Sequence, residues 1–220
     1  MENSGDHRST PRITSRITTV DQLRTLIGEP HPATPRKLLR ALDDLAIDFI
    51  GRSPFLVLGT ADAEGNQDVS PKGGAPGFVV VEDPNTLLIP DSKGNKLLFG
   101  LRNILENSHA GIIFMVPGTD ETLRVNGTGE LSVDPAALAR LSANGSPAQL
   151  AIRIAVRECF FHCAKALMRS QLWKPESWGA RVAFSWGKYL ARKSDGEDAA
   201  SKEEAAKIDR FVELDYKNNL

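Results

Sequence analysis

From Ser53 to Cys163 the chain is punctuated: apolar runs follow one another, each closed by Gly, Pro, Asp or Asn. "FLVLGTAD" (55–62) and "QDVSPK" (67–72) flank "AEGN", the pattern of a hairpin. "FVVVED" (78–83), "TLLIPD" (86–91), "AGIIFMVPG" (110–118), "ETLRVNGTGELSV" (121–133) and "LAIRIAVRECFFHC" (150–163) read as further strands. Short turns favour antiparallel pairing, because a parallel pair needs a long crossover. The pattern implies about six strands in a small barrel with attached helices, a mainly β fold. Too few strand–helix–strand units are present for a doubly wound α/β fold.

Helical patterns occur outside and between these runs. "TVDQLRTLIG" suits one short helix, closed by Gly28 and the Pro30/Pro32 pair. Leu38, Leu39, Leu42, Leu45, Ala46, Phe49 and Ile50 make one apolar face. With Thr34 as N-cap and Pro35 in the first turn, they predict a helix ending at Gly51. Leu97, Leu98, Leu101, Ile104 and Leu105 predict another, and "DPAALARLSA" (134–143) a short third. "CAKALMRS" looks helical, and the charge-rich tail is either a solvated helix or a mobile terminus. The expected organisation is an arm with a short helix (1–33), one barrel domain (34–192) and a charged tail (193–220).

Bulk charge points to no polyanionic partner: 27 basic and 28 acidic residues leave a net charge of −1. No apolar run approaches the roughly 20 residues of a membrane-spanning helix. Two cysteines, Cys159 and Cys163, make no disulfide framework, so a cytoplasmic setting is expected. They read as small core residues rather than metal ligands. A zinc site needs about four ligands, and His162 beside Cys163 has no second Cys/His cluster to complete one.

Three segments carry possible site chemistry. In "IPDSKGNKLLFGLRNIL" (89–105) a strand runs through Lys93, Gly94, Asn95 and Lys96 into a helix. Helix starts offer free N–H groups and a positive dipole end, so the junction is either an anion cradle or a plain turn with solvated lysines. "DVSPKGGAPG" places backbone groups beside Lys72, which suits a flat polar ring or a glycine-rich turn. In "HCAKALMRSQLW", a helix would align His162, Lys165, Arg169 and Trp173 at i, i+3, i+7 and i+11. That face either closes over an anionic aromatic ligand or is an ordinary surface with snorkelling cations.

Taken in order, "SPFLVLGTADAEGNQDVSPKGG", "LLIPDSKGNKLLFGLRNILEN", "IIFMVPGTDETLRVNG" and "FFHCAKALMRSQLW" resemble the pyridoxamine 5′-phosphate oxidase-like, FMN-binding split-barrel family. They span roughly residues 35–178 and are similar to a branch of FMN-dependent flavoproteins. The resemblance implies a six-stranded split barrel, a homodimer with FMN at the subunit interface, and an oxidoreductase acting on a small molecule. The alternative is a non-catalytic flavin-binding or sensing module. By position, Gln67, Val69, Ser70, Pro71 and Lys72 would lie along the ring and ribityl chain, with Ile89 and Pro90 beside them. Asn95 and Lys96 would take the phosphate, where the oxidases often carry Arg-Lys. Thr122, Lys165, Arg169, Ser170 and Trp173 would come from the partner subunit. The oxidases' C-terminal segment, which bears tryptophan and arginine, finds no match in "WGKYLARKSDGEDAASKEEAAKIDRFVELDYKNNL". Neither the residues nor the resemblance assigns a catalytic acid or base.

Overall fold

The computed structural model describes residues 15–91, 96–143, 146–191 and 199–219. They belong to two compact units, divided between Lys37 and Leu38. In the first unit, α1 (Val20–Ile27) starts at Thr19, whose hydroxyl accepts the Gln22 N–H, and stops at Gly28 with φ of 85°. The predicted short helix is there. A single 3-10 turn covers Thr34–Lys37.

The second unit is built on an antiparallel sheet. Its strands are β1 (Phe55–Ala61), β2 (Gln67–Gly73), β3 (Val80–Asp83), β4 (Thr86–Asp91), β5 (His109–Met115) and β6 (Thr122–Ser132). After them come β7 (Ser142–Ala143), β8 (Ser146–Pro147) and β9 (Leu150–His162). β7 and β8 pair only with each other; the other strands form one seven-stranded sheet in the order β2-β1-β5-β6-β9-β4-β3. The count is therefore seven rather than six, with all pairings antiparallel. The helices are α2 (Asp44–Arg52), α3 (Phe99–Glu106), α4 (Pro135–Arg140), α5 (Lys165–Ser170), α6 (Trp186–Ala191) and α7 (Ala199–Asn219).

Period-two alternation decides what each strand buries. On β1, Leu56, Leu58 and Thr60 turn inward, as do Ala110, Ile112 and Phe114 on β5. Leu123 and Val125 on β6 join them with Ile152 and Ile154 on β9. Directly opposed residues of an antiparallel pair share a face. The register Thr60↔Asp68, Leu58↔Ser70 and Leu56↔Lys72 therefore puts three polar β2 side chains on the inner face. There the Lys72 ammonium donates to Asp91 Oδ1 of β4 at 2.8 Å. β2 stands at one end of the strand order and β4 is next to last at the other. A contact between them means that the sheet curls back on itself, leaving a seam without ladder hydrogen bonds. This is a split barrel.

Two predictions about helices need correction. The apolar face from Leu38 to Ile50 is not one helix, since Leu39 forms a β-bridge with Cys159 and α2 starts only after Asp43. Asp43 caps α2 by accepting the Ala46 N–H at 2.8 Å. Leu101 and Ile104 of α3 pack inward, whereas Leu97 and Leu98 precede the helix, which starts only at Phe99, and are exposed; Leu105 is exposed on the helix's solvent side.

β6 and β9 shift register between Asn126 and Gly127, which leaves Arg157 unopposed as a bulge. The crowded point is Gly127, where a Cβ would collide with the Ala155 carbonyl of β9.

The tail, which the sequence left open between helix and mobile terminus, holds the long helix α7; residues 192–198 lie outside the described residues. α7 packs on α6 through Asp209, which accepts from the Ser185 hydroxyl at 2.6 Å and the Gly187 N–H at 2.8 Å. These bonds hold its carboxyl below the usual carboxylate range. A lowered pKa stabilises the fold above the unfolded value of about 3.9, and that contribution is lost as pH falls through the folded value. Asp209→Asn should therefore melt below wild type at pH 7, with the gap closing below about pH 4. A gap that does not change with pH would contradict this charge-dependent role.

Candidate functional site

The seam opens into a cleft of about 250 Å³. Its floor is Leu58 of β1 and Ile152 of β9, and one wall is the inner row Asp68, Ser70 and Lys72 of β2. Asp91 lies opposite, and Lys96 with the first turn of α3 forms the roof. α3 is seated there by Ile104 in the core, and by Asn103, whose amide donates to Thr60 Oγ1 at 3.2 Å. Its N-cap residue, Leu98, has φ of 61° and offers no side-chain cap. Lys96 has φ of 59°. Left-handed backbone costs a non-glycine residue roughly 1–2 kcal/mol, and such strain concentrates at functional sites.

Among the described lining residues, charges balance. Lys72 and Lys96 face Asp68 and Asp91, and the Lys72–Asp91 pair is largely shielded. Asp68 lies at the start of α3, close enough that a Cβ on Gly100 would come within 3.3 Å of Oδ2. A carboxylate is favoured at that end of a helix.

Two other concavities flank this cleft. A groove of about 440 Å³ lies between the α3 face bearing Phe99, Arg102 and Glu106 and the β1–β2 hairpin tip. Phe99 and Asp68 line both this groove and the cleft. On the outer face, Gly59, Gly111 and Gly127 floor a shallow depression of about 410 Å³, rimmed by Val69, His109, Asn126 and Arg157.

The residues singled out from the sequence are divided by this geometry. Ser70, Lys72 and Lys96 line the cleft, and Ile89 is buried in the core on the same face of β4 as Asp91. Pro90 is buried on the opposite face of β4. Gln67, Val69 and Pro71 point to the outer face of β2, with Gln67 and Val69 at the outer depression. Asn95 lies outside the described residues. Thr122 lies opposite His162, outside the barrel. Lys165, Arg169 and Ser170 are exposed on α5, where the Ser170 hydroxyl donates to the Leu167 carbonyl at 3.0 Å. None of these five, Trp173 included, lines the cleft of its own chain. The Trp173 indole N–H donates to the Thr119 carbonyl at 2.9 Å, tying this segment to the β5–β6 loop. A continuous helical face from His162 to Trp173 is not formed, because β9 runs through His162 and α5 ends at Gln171 with φ of 51°.

Asp68 and Asp91 escaped the sequence reading. Their signal was the strand period, since Asp68, Ser70 and Lys72 alternate, as do Ile89 and Asp91.

The cysteines differ sharply. Cys159 is fully buried, its thiol donating to the Ala41 carbonyl at 3.2 Å, and burial pushes its pKa up. Cys163 is exposed. Native protein treated with iodoacetamide at neutral pH should gain one alkyl group, at Cys163, with Cys159 reacting only on unfolding. Equal labelling of both would contradict the packing of β9.

An antiparallel split barrel with a polar cleft at its seam, roofed by an uncapped helix start, defines the architecture. The family model for pyridoxamine 5′-phosphate oxidase matches residues 42–163, more than half of the chain. The chain belongs to this family. No curated protein matches it. Solved structures resemble it at low identity. A candidate pyridoxamine 5′-phosphate oxidase of Lactobacillus delbrueckii is 24% identical, over 56% of this chain and 95% of that one, with a TM-score of 0.42. An FMN-binding protein of Syntrophomonas wolfei is 9% identical, over 54% and 89%, with a TM-score of 0.40. A protein named F420 reductase is 21% identical, over 52% and 94%, with a TM-score of 0.36.

Proposed function

We propose that the chain binds FMN in the seam cleft and works as an FMN-dependent oxidoreductase on a small molecule. The observation that carries this reading is the donor set around one apolar floor: Ser70 and Lys72 from β2, and Lys96 at a helix start without a side-chain cap. Those groups suit an elongated ligand with a flat apolar part and one anionic end. Lys96 and the N–H groups of α3 would hold the phosphate. Ser70 and Lys72 would lie along the ribityl chain and ring, with Leu58 and Ile152 beneath. The flavin supplies the electron and hydride chemistry, and the protein supplies position and electrostatics.

A homodimer is part of this proposal. Small-molecule sites usually run from about 300 Å³ upward, and the cleft of one chain holds about 250 Å³. A second copy would supply the rest, bringing Thr122, Lys165, Arg169, Ser170 and Trp173 against the flavin from outside. The outer sheet face has apolar side chains to offer such a partner, among them Phe55 and Val69. Among the described residues no helix is long and apolar enough to cross a membrane, and a cytoplasmic setting is proposed with the two free thiols.

Purified protein should carry flavin absorbance, and mass analysis of the released ligand should return FMN. Colourless protein that takes up no FMN would overturn the reading. Anaerobic bleaching by NAD(P)H followed by reoxidation in air is expected of the enzyme; a flavin that stays oxidised would indicate a binding module instead. Size measurements should give a dimer while flavin is bound, and a flavin-loaded monomer would contradict the shared site.

A further inference from the structure

We infer that Asp91 is a positioning residue of the cleft, which holds Lys72 across the seam and cancels the charge that lysine would present to a bound flavin. The inference rests on the flavin reading of the cleft.

Lys72 is the last inward-facing residue of β2, paired with Leu56, and Asp91 closes β4 opposite Leu150. No backbone ladder joins β2 to β4. The 2.8 Å bond between the Lys72 ammonium and Asp91 Oδ1 spans that gap, with side chains only 22% and 15% exposed. A lysine stem is flexible and prefers to carry its head into water. Asp91 keeps it in the seam instead. Because the pair is mostly shielded, solvent and salt screen it less than a surface pair. A ligand at this end of the cleft meets a closed ion pair rather than a free cation. Lys96 and Asp68, the other charged groups described in the cleft, are separate from this bond.

The consequence is redox. Two electrons and one proton taken up by a flavin leave it with one more negative charge, and a free ammonium nearby would favour that reduced form. Asp91 withholds that preference. Asp91→Asn keeps an oxygen that can accept from Lys72 but removes the charge, so the geometry persists while the cancellation is lost.

The test is a reductive titration of FMN-loaded protein against a reference dye, with FMN affinity measured in parallel. Asp91→Asn should raise the ratio of reduced to oxidised FMN affinity about tenfold, a positive shift of about 30 mV for a two-electron couple. Lys72→Met, which leaves Asp91 uncompensated, should shift the potential the opposite way. The double variant should return near wild type. A merely structural clasp would lower the melting temperature of each single variant and leave the potential unmoved; that outcome overturns the inference alone. Wild-type protein that takes up no FMN overturns it together with the flavin reading.

Discussion

Lys96→Gly should weaken FMN binding by about tenfold to a hundredfold while leaving riboflavin almost unaffected. A charge-assisted hydrogen bond contributes roughly 1.5–3 kcal/mol, and each 1.4 kcal/mol is about tenfold in affinity. Only FMN carries the phosphate that Lys96 would hold, so the two ligands separate a phosphate contact from general damage to the cleft. Glycine is the informative replacement because Lys96 sits at φ of 59°. It removes the ammonium and also relieves the left-handed strain, worth about 1 kcal/mol. The ligand-free variant should therefore melt no lower than wild type. Lys96→Ala keeps the strain and should melt below Lys96→Gly. Equal loss of FMN and riboflavin would show that Lys96 does not touch the phosphate.

A large effect on stability is expected at Gly127, in the middle of the sheet. Gly127→Ala should cost about 3 kcal/mol, at the upper end of what overpacking usually does. The atom in the way is the Ala155 carbonyl, which is backbone and has no rotamer to escape into. It lies where β6 and β9 change register around Arg157, in the middle of the sheet. Relief would require the two strands to part or the bulge to move. Denaturant titration should show a lower midpoint with an unchanged slope. As a control, Gly65→Ala at the β1–β2 turn has open space for its Cβ but a φ of 86°. It should cost only the local backbone strain, roughly 1–2 kcal/mol. A Gly127→Ala protein as stable as wild type would contradict the close approach of β6 and β9.

These predictions test positions that sequence and tertiary structure reveal unequally. Most strands were legible because burial on one face imposes alternation, as in Leu56, Leu58 and Thr60 on β1. The hairpin at "AEGN" was legible too, since Asp62 accepts the N–H groups of Glu64 and Asn66, as a tight turn requires. The segment from Leu38 to Ile50 was misleading for the opposite reason. Its leucines recur with helical spacing, yet Leu39 exchanges backbone hydrogen bonds with Cys159, more than a hundred residues away. No local pattern announces such a partner, and tertiary pairing overrides propensity.

The candidate site divides along the same line. In "IPDSKGNKLLFGLRNIL" the sequence determined a strand, then cations, then a helix, because each depends on neighbours a few residues apart. It could not decide which way the site faces. The curl of the sheet brings Asp91 to Lys72 and turns Ser70 toward α3, while Val69 and Pro71 are left outside. That curl depends on contacts between strands remote in sequence, and so does the fact that Lys72 meets a carboxylate. Residue type and local order were written in the chain; the closed ion pair and the polarity of the cleft arise only when the ends of the sheet meet.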